Sequence, residues 1–115
     1  MKKILLIDDN LDFLNLLAVI AGDYGWEPYK AASVREARKL LTQENYHTVC
    51  IDFSLRDGTA VDILSFMKDY KIGGRAVVLS GHSEDSVRNA AFQAGAMEYV
   101  EKGGSGFPEA IFAVG

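Results

Sequence analysis

A single cysteine, Cys50, leaves no partner for an internal disulfide. It falls inside an apolar run, where a thiol behaves as a small buried hydrophobe. Such sparing use of cysteine fits a reducing cytoplasm. Long apolar runs are missing as well. The longest helix-like one, Leu11 to Ala21, is broken by Asp12 and Asn15 and is too short to span a bilayer. Met1-Lys2-Lys3 and the four apolar residues after it resemble the start of a secretion signal, but Asp8-Asp9 cuts that core short. There is no excess of positive charge. The net charge is −4 with basic residues scattered, which argues against nucleic-acid binding. No Gly-x-Gly-x-x-Gly follows the first apolar run, so dinucleotide binding is disfavoured. Repeats, long linkers and low-complexity segments are absent. The remainder is ordinary: 115 residues, 49% hydrophobic and 24% charged, the size and composition of one globular domain spanning 1–115.

What is present alternates between two periodicities. Strand-like runs occur at Lys3 to Ile7, Glu27 to Ala31, Thr48 to Phe53, Arg75 to Ser80 and Met97 to Glu101. Pro28 lacks an N–H for a sheet ladder and places the second run at a sheet edge or strand start. Helical spacing follows each run. Leu11 to Tyr24 carries Leu14, Leu17, Ala18 and Ala21 on one face, with Asn10 or Asp9 as cap and Gly25 as terminator. Ser33-Val34-Arg35-Glu36 is a capping-box pattern opening a helix to about Glu44. After the Asp57-Gly58 turn signal, a helix over Thr59 to Tyr70 is expected to bury Val61, Leu64 and Met67 or their neighbours. Gly73-Gly74 breaks the chain. Ser83 is the expected cap of the fourth helix, with Glu84 and Asp85 in its first turn and Gly95 closing it. Residues 103–106 read as a glycine-rich loop, and Pro108 opens a short last helix to Val114. The alternation predicts an α/β fold. It is a flavodoxin-like doubly wound parallel sheet of five strands, order 2-1-3-4-5, with helices on both faces.

Ligands in such folds sit beyond the carboxyl ends of the strands. At those ends stand Asp8 and Asp9, Asp52, Ser80 and Lys102. Unit charges about 4 Å apart interact by about 4 kcal/mol at an effective dielectric of about 20. Three crowded carboxylates therefore repel one another, shift a pKa or recruit a cation. An all-oxygen set with open positions suits Mg²⁺, which keeps waters and bridges to phosphate. The Ser80 hydroxyl and the Lys102 ammonium have no part in holding bare metal. They gain one if a phosphoryl group enters, because its equatorial oxygens need electrophilic partners. An aspartate can itself be the nucleophile.

Four pieces, Leu6-Ile7-Asp8-Asp9-Asn10, Ile51-Asp52-Phe53-Ser54-Leu55-Arg56-Asp57-Gly58, Val78-Leu79-Ser80-Gly81 and Tyr99-Val100-Glu101-Lys102, occur in order with suitable spacing. The whole chain resembles the receiver domain of a two-component response regulator. The resemblance implies that Asp52 accepts a phosphoryl group from a sensor histidine kinase or phosphotransfer protein. Asp9 would ligate Mg²⁺ directly and Asp8 mainly through water, with the Ser54 backbone carbonyl as a further ligand. Lys102 would grip the phosphoryl group and pair with Asp52 beforehand. Ser80 would move to the phosphoryl group and Tyr99 would swing inward behind it. That shift would reach an output domain or downstream protein at the face of the fourth helix, fifth strand and fifth helix. Such a switch promotes its own phosphorylation and dephosphorylation rather than turning over a substrate, and phosphorylation-dependent dimerisation is compatible with it. Ser54 and His82 occupy positions that tune phosphoryl lifetime in the family. As ordinary loop residues they need no such role.

The chain departs from the family pattern in three places. Gly103 follows Lys102 where the family has proline. A non-proline cis bond costs roughly 2.5–4 kcal/mol, which favours a trans bond here and leaves the resting position of Lys102 open. Arg56 replaces a common proline. The last helix is short, as in a module excised from a longer protein. Two other readings use the same residues. A pseudo-receiver would act purely by interaction. An aspartate-nucleophile phosphatase of the haloacid dehalogenase type would need an aspartate at position 10, where Asn10 stands. Trp26 and His47 precede strands and are expected at the opposite end of the sheet from the acids.

Overall fold

The structure, a computed structural model, describes residues 1–81 and 84–114. Five parallel strands form one sheet: β1 (Lys3–Ile7), β2 (Glu27–Ala31), β3 (Thr48–Asp52), β4 (Arg75–Ser80) and β5 (Glu98–Glu101). Their order is β2-β1-β3-β4-β5, as the alternating pattern predicts. Pro28 lies on edge strand β2, where a missing N–H is tolerated. The helices are α1 (Leu11–Asp23), α2 (Val34–Gln43), α3 (Ala60–Asp69), α4 (Asp85–Ala94) and α5 (Phe107–Phe112). No helix among the described residues is long and apolar enough to cross a membrane.

Alternation along the central strands builds two cores, one on each face of the sheet. Leu5, Ile7, Val49, Ile51 and Val78 point toward α2, α3 and α4. Ile4, Leu6, Cys50, Val77 and Leu79 point toward α1 and α5. Burial on both faces is why these strands read as continuous apolar runs.

Helix termini follow local chemistry. Asn10 caps α1 by accepting the Phe13 N–H at 3.1 Å. Ser33 caps α2 by accepting the Glu36 N–H at 3.1 Å, while Glu36 reaches back to the Ala32 N–H at 3.4 Å. Thr59 and Asp62 form a reciprocal capping box on α3, which the turn signal alone did not reveal. Gly95 closes α4 in the left-handed conformation, φ 115°.

Several expectations need correction. In α3 the buried stripe is Ala60, Ile63, Leu64 and Met67, and Val61 is half-exposed. Ala60, Ile63, Leu64 and Met67 are spaced three and four apart on one face, which packs into the core. In α1 the expected face is kept, with Ala18 partly buried and packed against the core of Leu14, Leu17 and Ala21. The cap of α4 is Glu84 without a side-chain hydrogen bond, and Ser83 lies outside the described residues. Met97 is exposed and precedes β5, although its N–H still bonds the Ala76 carbonyl at 2.8 Å. The last helix starts at Phe107 and ends at Phe112, before Val114. Past β3, Ser54–Leu55 and Gly58–Thr59 pair as a small antiparallel ribbon that strand periodicity is too short to register.

Candidate functional site

The carboxyl ends of β1 and β3 are neighbours, and their acids meet. One carboxylate oxygen from each of Asp8, Asp9 and Asp52 lies within 4.8 Å of the others. Asp8 is buried, 1% exposed, and uses both oxygens: Oδ1 accepts the Asn10 N–H at 2.9 Å and Oδ2 accepts Lys102 Nζ at 3.0 Å. Asp52, the last residue of β3, is 9% exposed, and its Oδ1 stands 3.1 Å from Lys102 Nζ. Asp9 is exposed at the mouth. The donor set is all oxygen, with one open side, and fits a hard divalent cation.

Lys102 bridges the two buried acids, so the likeness-based expectation of a lysine paired with the β3 aspartate is met in the resting fold. No peptide bond among the described residues is cis, and the lysine reaches the acids from a trans backbone. Its N–H anchors on the Ser80 carbonyl at 2.8 Å, which ties the end of β5 to the end of β4. Ser80 is buried at the end of β4, one residue beyond Leu79, which pairs with Asp52 on β3. Tyr99 lies on a different strand from the three acids. It is half-buried on β5 opposite Val78, packs against the α2–α4 core, and has the Arg88 guanidinium 5.7 Å from its ring centre. The Ser54 side chain is exposed at the start of the ribbon. His82 lies outside the described residues.

Burial and charge set the protonation of the site. Burial first, and then the charge of Asp8, push the Asp52 carboxyl up to about 6 from 3.8, against the pull of Lys102. For Lys102, burial opposes the charge. The hydrogen bond to Asp8 and the charges of Asp52 and Asp8 outweigh it and hold the pKa above 10.5. Cys50, beneath the site, has its thiol pushed up to about 12, first by burial and then by Asp8. It is inert as a nucleophile.

Two residues at the site escaped the sequence reading. Asp57, read only as a turn former, accepts the Val34 N–H at 2.8 Å and the Arg35 N–H at 3.1 Å. Its carboxylate sits on the positive end of α2 and pins the ribbon loop there. The Val34 N–H holds its carboxyl below the ordinary value, with a second contribution from Arg35. Beside it a Cβ on Gly58 would meet Asp62 Oδ2 at 2.5 Å, so the loop closes tightly on α3. Phe13, one turn into α1, lies under the Lys102 ammonium, which is 4.6 Å from the ring centre.

A family model for the response regulator receiver domain matches residues 4–106. The photosynthetic apparatus regulatory protein RegA of Rhodovulum sulfidophilum is 27% identical over 100 residues, 87% of this chain and 55% of that protein. A putative NtrX-like response regulator of Rickettsia bellii is 31% identical over 102 residues, 86% of this chain but 21% of that protein. The chain thus spans at most about half the length of these curated relatives. Among solved structures, a response regulator of Burkholderia pseudomallei with a phosphorylated aspartic acid, calcium and citrate superposes with TM-score 0.84 at 27% identity, covering 91% of this chain and 62% of that one. TrrA of Thermotoga maritima, in complex with Mg²⁺ and beryllium fluoride, gives 0.82 at 25% identity, covering 92% of this chain and 90% of that one. The acids at two neighbouring strand ends, the lysine bridging them and the matched sheet order lead to one conclusion: the chain belongs to the response regulator receiver domain family, the switch domains of phosphorelay signalling.

Proposed function

We propose that this domain, over 1–115, is a phosphoaccepting switch in which Asp52 takes a phosphoryl group from a phosphohistidine of a sensor kinase or phosphotransfer protein. One observation carries the reading: Lys102 Nζ lies 3.0 Å from Asp8 and 3.1 Å from Asp52, with Asp9 completing the acidic set. An Asp52 oxygen attacks phosphorus, the phosphorus–nitrogen bond breaks, and the donor imidazole leaves. Asp8, Asp9, Asp52 and the Ser54 carbonyl would hold Mg²⁺. Bound there, the ion neutralises charge on the acids and on the transferring group. Lys102 and the Ser80 hydroxyl take the remaining phosphoryl oxygens. A new dianion on Asp52 then biases Ser80 and, behind it, Tyr99, whose ring faces Arg88 of α4. The output surface is accordingly the face of α4, β5 and α5. The donor docks on α1, where Leu11 and Val19 are 61% and 62% exposed.

The test uses acetyl phosphate and Mg²⁺. The native protein should take up one acid-stable, base-labile phosphoryl group, and Asp52→Asn should take up none. Stable labelling of that variant would defeat the assignment. Failure of the native protein to bind either Mg²⁺ or beryllofluoride would make it a pure interaction module.

A further inference from the structure

Among the described residues the Lys102 ammonium has three partners, not two. Besides Asp8 and Asp52 it meets the face of Phe13, 4.6 Å from the ring centre, well inside the range in which an aromatic quadrupole attracts a cation. Phe13 is itself backed by Phe107 at the start of α5, with ring centres 6.2 Å apart and planes 27° from parallel. Next to it Gly103 is exposed and a Cβ there would meet nothing within 4 Å, so no packing on that side fixes the lysine, although the Gly104 N–H turns back to the Glu101 carbonyl at 3.1 Å. We propose that Phe13 is a positioning residue for phosphoryl transfer: its ring, propped by Phe107, holds the Lys102 ammonium over the acids and keeps it aimed at the incoming phosphoryl group.

A lysine on a glycine-flanked loop has many rotamers, and each must be frozen to serve one transition state. Two carboxylates attract the ammonium, at 3.0 and 3.1 Å. When Asp52 changes from carboxylate to acyl phosphate, one of those attractions changes with it. The ring does not titrate, is not consumed and lies on a different element, so it supplies a constant third contact through the whole reaction.

This inference rests on the phosphoacceptor reading above, and the experiment separates the two. The initial rate of labelling by acetyl phosphate at saturating Mg²⁺ is compared for the native protein, Phe13→Leu, Phe13→Tyr and a protein with pentafluorophenylalanine at position 13. Leucine keeps apolar bulk without a quadrupole. Tyrosine keeps the quadrupole. The fluorinated ring keeps shape and reverses the quadrupole. Phe13→Leu and the fluorinated protein should label about three- to tenfold more slowly, while Phe13→Tyr labels at nearly the native rate. The Mg²⁺ affinity, measured by calorimetry, should be unchanged in all four, because the acids are untouched. A fluorinated protein as fast as the native one would overturn the proposal and leave only packing. So would a loss of Mg²⁺ affinity in step with the rate, which marks general loosening. A native protein that takes up no label would sink the phosphoacceptor reading and this inference together.

Discussion

At the scale of single residues, the site stores free energy against its own resting state. Asp52 is nearly buried beside Asp8, and its carboxyl is raised from 3.8 to about 6. Because the folded pKa lies above the unfolded one, the native state binds more protons between these values. Stability therefore falls as pH rises through that window, and above it the ionised form costs up to about 3 kcal/mol. Lys102 stays protonated throughout, since its pKa is raised above 10.5. In urea titrations without metal, the native protein should lose stability between pH 4 and pH 7 by this route. Asp52→Asn should flatten that slope and be the more stable protein at pH 7.5. An unchanged slope in the variant would show that Asp52 carries no such cost. Asp8, Asp9, Asp52 and Lys102 were legible in the sequence because each follows a strand-like run, and the fold brings strand ends together. Phe13 and Asp57 were not. Phe13 meets Lys102 only because the lysine reaches back from the end of β5 to Asp8, just before α1, and Asp57 reaches α2 across 23 residues of chain. No periodicity encodes either contact.

Elements show a similar division. The strands were readable from composition, and their order from the rarity of left-handed crossovers. In α3 the expected Leu64 and Met67 are buried with their neighbours Ala60 and Ile63, and only Val61 stays out of the core. The end of α5 was not readable at all. Three of its carbonyls are satisfied from distant elements. Arg75 donates to Ala110 at 2.7 Å and to Ile111 at 3.0 Å, and Trp26 Nε1 donates to Phe112 at 2.8 Å. These bonds do for α5 what a C-terminal motif does elsewhere. Arg75 also pairs with Glu98 on β5, so one guanidinium fastens β4, β5 and α5 together. Arg75→Met, which keeps much of the buried stem, should cost about 1–3 kcal/mol by leaving helix-end carbonyls without donors. The expected signature is local: faster amide exchange in residues 107–112, with Mg²⁺ binding intact. Unaltered exchange in α5 would mean that water replaces the guanidinium at no cost.

On the scale of the whole molecule, the sheet separates chemistry from reporting. The acids stand beyond the carboxyl ends of β1 and β3, whereas Trp26 precedes β2 and is buried under α5, its ring edge-on to His47 at 5.3 Å. Two continuous cores join these ends through β1, β3 and β4. A ligand held only by the native arrangement of acids should therefore stabilise the entire fold without disturbing the tryptophan. Binding at 100 times its Kd contributes about 2.7 kcal/mol by mass action. Neutralising Asp52 would be the source of part of that affinity, because the ion offsets the desolvation of the buried carboxylate and its repulsion by Asp8. Tryptophan emission of the folded protein should then barely change on adding Mg²⁺, while the midpoint of its thermal unfolding rises by several degrees. Asp9→Ala should abolish the rise and leave the metal-free midpoint nearly unchanged, since Asp9 is exposed and bears little of the fold. A strong quench of native emission by Mg²⁺ would contradict the separation, because a rigid sheet gives the ion no means of moving a ring at its other end.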